Sequence, residues 1–193
     1  MHEAEAEFKD RGSRFIAYSF LVKEIEQVKI SVKKLKEQHP KAVHHCLAFR
    51  LGADGQQFRA NDDGEPSGSA GKPILGQIDH FDLTNVLIVV VRYFGGTLLG
   101  VPGLINAYKT VSHDVLMLSG RVEKNIEINY SLQFNYTLMN EVMRVIKQYQ
   151  LELKSSEMML FCEYIVAVPL HIEKEVCEKF EALHELKISK TPD

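Results

Sequence analysis

The sequence lacks tryptophan and has only three cysteines, Cys46, Cys162 and Cys177, among its 193 residues. None lies in a C-x-x-C pair and their number is odd, so we expect free thiols in a reducing, cytoplasmic compartment. The N-terminal segment has no apolar stretch of the signal-peptide type. No apolar run approaches the ~20 residues that a membrane-spanning helix needs. We therefore expect no signal peptide and no membrane partner.

A strong excess of one charge is also absent, because the formal net charge is −3. This balance argues against a strongly basic nucleic-acid-binding protein. The charges are unevenly divided, however: residues 126–193 contain seven Lys and Arg against eleven Asp and Glu, while the remainder has a net charge of +1. An anion-binding surface is therefore expected in the first part of the chain.

Hydrophobic periodicity predicts alternating strands and helices in that first part. The run Val86–Val91 contains no polar residue, which is typical of a strand buried on both faces. The predicted strands are Phe15–Val22, Val43–Leu51, a strand near Phe58 and Asn85–Phe94; the predicted helices are Glu24–His39, Ile74–His80 and one that contains Leu104–Leu118 and ends at Gly120.

The pattern changes after residue 125. Residues 126–137 alternate strictly between apolar and polar side chains, which predicts a half-buried strand. A helix, two strands, a second helix and a short strand follow at 139–149, 151–154, 160–168, 172–184 and 186–189. This β-α-β-β-α-β order is typical of a ferredoxin-like domain. We therefore predict an α+β protein with two domains, residues 1–124 and 125–193.

The segment Asn61–Gly76, "NDDGEPSGSAGKPILG", concentrates glycines, acids and serines. A phosphate-binding P-loop requires glycine and Ser or Thr where this chain has Pro66 and Pro73. Pro73 lacks both the backbone N–H and the hydroxyl group that would hold Mg²⁺. The segment is therefore not a P-loop.

A catalytic role for the segment would use Ser67, Lys72 and His44. The serine lies one position late for a G-x-S-x-G motif, and a nucleophilic serine needs a base within hydrogen-bond reach. The alternative is that Ser67 and Ser69 bond to the backbone of a turn, as serines often do. We expect no catalytic residue, and we keep the three-residue group as the alternative.

A metal site would draw on His44 and Cys46, which share one face of their strand, while His45 points to the opposite face. Two ligands on one face are too few for a closed zinc site. Asp62, Asp63 and Glu65 do not have the spacing of a calcium-binding loop. We expect no metal and no cofactor.

A surface that binds an anion or a macromolecule is the remaining interpretation. The two glycine-rich turns, 64–71 and 95–103, each adjoin a regular element, and glycine lets backbone N–H groups point at a ligand. Lys72 and Arg92 would add cationic donors. Tight packing between strand and helix would explain the same glycines without a ligand.

Several segments together resemble the IMPACT family. They are "KDRGSRFIA", "AVHHCLAFR", "NDDGEPSGSAGKPIL", "NVLIVVVRYFGGTLLG" and "GLINAYK", in this order between Lys9 and Lys109. The resemblance implies a first domain like domain 2 of ribosomal protein S5, with helices on one face of a single sheet. It implies a C-terminal domain similar to one of elongation factor G. Eukaryotic members restrain a kinase that senses amino-acid starvation, which implies a role in translation or stress signalling.

The chain departs from the family pattern at Leu98, Pro102 and Asn106, where the family usually has lysine, glycine and arginine. Two cations are thus missing from a turn that would contact phosphate, which weakens the case for RNA. We predict a non-enzymatic binding protein with a ribosome, RNA or translation-factor partner; the alternative is an enzyme acting on a phosphorylated or acyl substrate. The expected binding residues are Asp63, Gly64, Glu65, Ser67, Gly68, Gly71, Lys72, Arg92, Tyr93, Gly95 and Gly96.

Overall fold

The computed structural model describes residues 4–191 and divides into two compact units between Val122 and Glu123. Among the described residues, no helix is long and apolar enough to span a membrane. Both units contain an antiparallel sheet and at least two helices, which confirms the predicted two-domain α+β architecture.

The first unit contains a five-stranded sheet in the order β1-β2-β5-β3-β4, in which every neighbouring pair is antiparallel. Its elements are β1 (Ala4–Asp10), β2 (Ser13–Leu21), α1 (Ile25–Gln38), β3 (His44–Leu51), β4 (Gln57–Asn61), α2 (Gly71–His80), β5 (Val86–Tyr93) and α3 (Gly100–Leu118). The apolar strand β5 therefore lies at the centre of the sheet.

Alternate residues of β5 enter two separate cores. Ile88 and Val90 pack with α2 and α3, whereas Leu87, Val89 and Val91 pack on the opposite face with α1. The prediction that β5 is buried on both faces is confirmed. The expectation that helices cover one face of the sheet is wrong, because the second face also presents large apolar side chains that α1 covers.

Strand β1 was absent from the predicted elements. In its sequence, AEAEFKD, the two alanines are buried and the charged residues are exposed or half-exposed. The alternation is present, but alanine has a low strand propensity and contributes little to a hydrophobic pattern. The strand is stabilised by its pairing with β2 along all seven residues and not by its local propensity.

The second unit contains β6 (Glu127–Phe134), α4 (Met139–Gln148), β7 (Glu152–Met158), β8 (Cys162–Pro169), α5 (Glu173–Glu181) and β9 (Lys187–Lys190). Its strands are antiparallel in the order β7-β8-β6-β9. Leu132, Phe134 and Val166 pack against both helices in one core. This is the split βαβ arrangement of a ferredoxin-like domain, as predicted.

Candidate functional site

The segment between β4 and α2 folds around the carboxylate of Asp62. Its Oδ2 accepts a hydrogen bond from the Gly68 N–H at 2.8 Å, and its Oδ1 accepts from the N–H groups of Ala70 and Gly71 at 3.0 and 2.8 Å. Burial acts to raise the pKa of Asp62, but these amide hydrogen bonds outweigh it and lower the pKa. The start of α2 is therefore already occupied by an anion from the chain itself.

Glu65, another acid of the segment, is buried in an ion pair. Its Oε1 accepts hydrogen bonds from Arg92 Nη1 at 2.6 Å and from the Tyr108 hydroxyl at 2.7 Å. The side chains of Glu65 and Arg92 are only 3% and 6% exposed. Arg92 is thus used inside the fold, and it is not the surface cation that the sequence suggested.

Cys46 and Tyr108 extend this buried group. The Cys46 Sγ lies 3.3 Å from the Tyr108 oxygen and 3.0 Å from the carbonyl oxygen of Asp62. Burial raises the pKa of the Cys46 thiol to about 12, and it raises that of Tyr108 well above its ordinary value. Both groups remain protonated at neutral pH, so Cys46 has the character of an inert, buried thiol.

His44 lies at the edge of the same group, opposite Arg92 on the neighbouring strand. Its Nδ1 donates a hydrogen bond to the carbonyl oxygen of Asp63 at 2.8 Å, and its Nε2 lies 4.0 Å from Glu65 Oε1. The Asp63 carboxylate accepts a hydrogen bond from the His45 backbone N–H at 2.7 Å. These bonds fix the segment against the end of β3.

The catalytic alternative required Ser67, Lys72 and His44 to act together. Ser67 and Lys72 are exposed, and within residues 4–191 no hydrogen bond joins any two of the three. The buried serine of the segment is Ser69 instead, whose hydroxyl donates to the carbonyl oxygen of Pro66 at 2.6 Å. This local bond is the turn-forming role that serine commonly plays.

The second glycine-rich turn packs against the turn between β1 and β2. A Cβ placed on Gly95 would lie 1.8 Å from the carbonyl carbon of Gly12, and the Gly95 N–H donates to Ser13 Oγ at 3.2 Å. Tyr93 does not join the other predicted binding residues, because it points to the α1 face, where its hydroxyl lies 2.9 Å from His39 Nδ1.

The predicted binding residues therefore separate into three groups. Gly64, Ser67, Lys72, Gly95 and Gly96 are exposed, and Asp63 and Gly68 are half-buried. Glu65, Gly71 and Arg92 are buried within the fold. Tyr93 lies on the other face of the sheet. In the part of the chain that the structure describes, no three His, Cys, Asp or Glu side chains are arranged to hold a metal.

Two residues with central positions were not among the predicted binding residues. Tyr108 lies in the buried stripe of α3. Its ring fits a core position, and nothing in the sequence pattern indicates a hydrogen-bond partner for its hydroxyl group. The sequence indicates Asp62 only as a candidate metal ligand. It precedes α2 by nine residues, whereas a helix-capping side chain usually lies at the residue next to the helix, so its contact with Gly71 could not be read from spacing.

Comparison with known proteins places this arrangement in a family. The profile of the Impact N-terminal domain matches residues 11–116, which include β2, β3, β5, the glycine segment and most of α3. The chain belongs to the IMPACT family. The IMPACT family member YigZ of Escherichia coli (strain K12) is 36% identical over 161 residues, covering 82% of this chain and 79% of its own.

Two further comparisons, one with an IMPACT family member and one with a solved structure, cover most of the chain. The family member YvyE of Bacillus subtilis (strain 168) is 35% identical over 150 residues, which are 78% of this chain and 69% of YvyE. A crystal structure described as that of a hypothetical protein covers 98% of this chain and 94% of its own, with 31% identity and a TM-score of 0.69. The aligned lengths exceed the 122 residues of the first unit, so the similarity to YigZ and YvyE extends into the second unit.

The stability of this IMPACT protein is expected to fall as the pH drops below 6.5. His45 is buried and its Nε2 has no hydrogen-bond partner among the described residues. Burial and the nearby charge of Lys36 lower the pKa of His45 from its ordinary value of 6.5, so folding favours the neutral ring. That contribution is complete above the unfolded pKa and is lost as the pH falls through the folded value.

Urea unfolding at pH 7.5 and pH 5.5 tests this expectation. The free energy of unfolding should decrease more between the two pH values in the wild type than in His45→Leu, which has no group to protonate. His113→Leu, a change of an exposed histidine, is the control and should keep the wild-type pH dependence. An unchanged pH dependence in His45→Leu would contradict the assignment.

Proposed function

We propose that this IMPACT protein is a non-enzymatic binding protein linked to the regulation of translation or the stress response. One observation carries the non-enzymatic part: the three carboxylates of the glycine segment already have hydrogen-bond partners within the fold. Asp62 holds three backbone amides, and Glu65 holds Arg92 and Tyr108. A catalytic acid, base or nucleophile must reach a substrate, whereas these groups hold the fold together. Family membership supports the link to translation.

The exposed surface of this region is weakly cationic. Ser67 and Lys72 are exposed within the segment, and Lys109 is exposed on α3. Leu98 and Asn106 replace the two cations usual in the family, and Arg92 is neutralised by Glu65. Few phosphate contacts are therefore available to this face, and they give only a shallow dependence of nucleic-acid affinity on salt. We propose the ribosome as the partner, with these two lysines at the edge of the contact.

Co-sedimentation with ribosomes from the protein's own cells, across a salt series, tests this proposal. We expect the wild type to pellet with ribosomes, and Lys72→Ala/Lys109→Ala to lower the slope of log affinity against log salt by about 2, one for each lost contact. The matched control is Lys33→Ala/Lys34→Ala, which removes the same charge from exposed positions on α1.

Two outcomes would overturn the proposed function. If the wild type stays in the supernatant at low salt, ribosome association fails altogether. If the α1 control weakens binding as much as Lys72→Ala/Lys109→Ala does, the effect is one of net charge and the glycine segment is not the contact face. Free RNA, sedimented separately, shows whether phosphate alone accounts for the binding.

A further inference from the structure

The hairpin between β7 and β8 ends in four consecutive large apolar residues, Met158–Phe161, which we name the apolar tip. Their side chains are 54%, 78%, 92% and 49% exposed. Soluble proteins scatter single apolar residues over their surfaces, but contiguous exposed groups of this kind mark contact sites. The apolar tip is the longest unbroken run of exposed large apolar residues in the described part of the chain.

The tip has a defined conformation. The Met159 N–H donates to the carbonyl oxygen of Phe161 at 3.1 Å, which closes the turn. The hydroxyl of Tyr136, a residue that is itself half exposed, donates to the carbonyl oxygen of Met159 at 3.2 Å. A constrained turn loses less conformational entropy on binding than a disordered loop does.

The core of the second unit does not need these side chains. The residues of β8 that enter the core begin at Cys162 and continue at Tyr164, Val166 and Val168. The apolar tip lies beyond this row and contributes no residue to the core cluster. Polar residues at these positions would leave the stability of the second unit nearly unchanged, since exposed sites contribute little to stability.

Charge limits what the tip can contact. Glu157 and Glu163 lie opposite each other at the base of the tip, and residues 155–173 contain no Lys or Arg. Residues 126–193 as a whole carry seven basic and eleven acidic side chains. Anionic lipid and RNA phosphate would both be repelled, because membrane-surface and RNA-binding segments rely on Lys and Arg. Two tips meeting would bring four glutamates together, which is destabilising.

We propose that the apolar tip inserts into an apolar groove bordered by Lys and Arg on a basic ribosomal protein. The identity of the partner rests on the proposed function; the chemistry of the groove rests on the tip. The apolar side chains of the tip fit the desolvated core of an interface, and the glutamates at its base fit a rim of opposite charge. The second unit then docks through protein contacts, while the first unit contributes its lysines.

Ribosome co-sedimentation of the full chain tests the tip. Met159→Ser/Leu160→Ser should weaken ribosome binding about tenfold or more, because both residues are central and well exposed. The matched control is Ile30→Ser, which changes an apolar side chain that is 60% exposed on α1 and should leave binding unchanged. Equal urea midpoints for the wild type and both variants exclude a folding defect.

Charge complementarity has its own pair of variants. Glu157→Lys should weaken ribosome binding about threefold by placing a cation at a basic rim. Glu37→Lys makes the same change at an exposed position on α1 and should have no effect. Tighter binding by Glu157→Lys would overturn the inference, because it would show that the tip faces phosphate.

Each remaining outcome is decisive. If the wild type pellets and Met159→Ser/Leu160→Ser pellets equally, the tip inference is wrong while the proposed function stands. If the wild type does not pellet, both are wrong. Binding to protein-free ribosomal RNA that is as tight as binding to ribosomes would assign the tip to RNA. Tip-dependent flotation with phosphatidylcholine–phosphatidylserine vesicles would assign it to a lipid surface, and a tip-dependent dimer in sedimentation velocity would assign it to a second copy of the chain. Each of these results would overturn the inference.

Discussion

Replacing Glu65 with alanine is expected to lower the free energy of unfolding of the first unit by about 3–5 kcal/mol. The change leaves the Arg92 guanidinium group in a site where its side chain is 6% exposed. Arg92 Nε already has no hydrogen-bond partner among the described residues, and the Tyr108 hydroxyl would also lose its acceptor. A buried charge without a partner costs far more than the lost hydrogen bond itself.

Hydrogen exchange of the β5 amide groups under native conditions measures this loss in the first unit alone. Ser67→Ala, an exposed change two residues along the same segment, is the control and should stay within about 0.5 kcal/mol of the wild type. The triple variant Glu65→Leu/Arg92→Met/Tyr108→Phe should recover most of the stability, because it removes the charges together. A cost below about 1 kcal/mol for Glu65→Ala would contradict the buried pair.

The sequence predicted those features that depend on local pattern. The amphipathic helices and the strict alternation of β6 each produce a periodicity typical of one type of element, while the short length and β-branched residues of the apolar run in β5 favour a strand. The ferredoxin-like order followed from these elements, and a strand order of β7-β8-β6-β9 is one of few arrangements that short connections allow. Shared motifs between Lys9 and Lys109 indicated the family.

The Glu65–Arg92 pair was beyond local pattern. Arg92 follows Glu65 by 27 residues and Tyr108 follows it by 43, so three separate elements must meet before the pair exists. In a sequence, an arginine beside a glycine-rich turn suggests a surface cation, because charged residues are almost never fully buried unless they are paired. The partner of Arg92 is determined by the tertiary structure. Pairing makes Arg92 a buried residue of the fold, whereas the sequence suggested a surface cation.

The face of the sheet that each helix covers was unpredictable for a related reason, although the apolar run of β5 predicted burial on both faces. The sequence shows that α1 has an apolar face, but it does not show which face of the sheet receives it. In the structure, Tyr18, Phe20, Leu47 and Phe49 extend from the sheet on the α1 side. These residues alternate with others that pack toward α2 and α3. Their strands therefore appear continuously apolar, and the sequence does not show which residues face α1.

Gly95→Ala is the second large effect that we expect, with a cost of about 3 kcal/mol to the first unit. The added Cβ would lie 1.8 Å from the carbonyl carbon of Gly12 and 2.2 Å from the Ser13 N, both of them backbone atoms that cannot rotate away. The β1–β2 turn would have to move from the end of β5. The same hydrogen-exchange measurement on β5 reports the loss.

Two other glycines separate the possible causes. Gly96 has a φ of +85° but open space around its Cβ position, so Gly96→Ala should cost about 1 kcal/mol from backbone strain alone. Gly120 has open space and no positive φ, so Gly120→Ala should be neutral. If Gly95→Ala costs no more than Gly96→Ala, contact between the two turns does not explain the glycine. The predicted ranking assigns Gly95 to packing between the two turns, which leaves Gly96 and the exposed residues around it free to contact a partner.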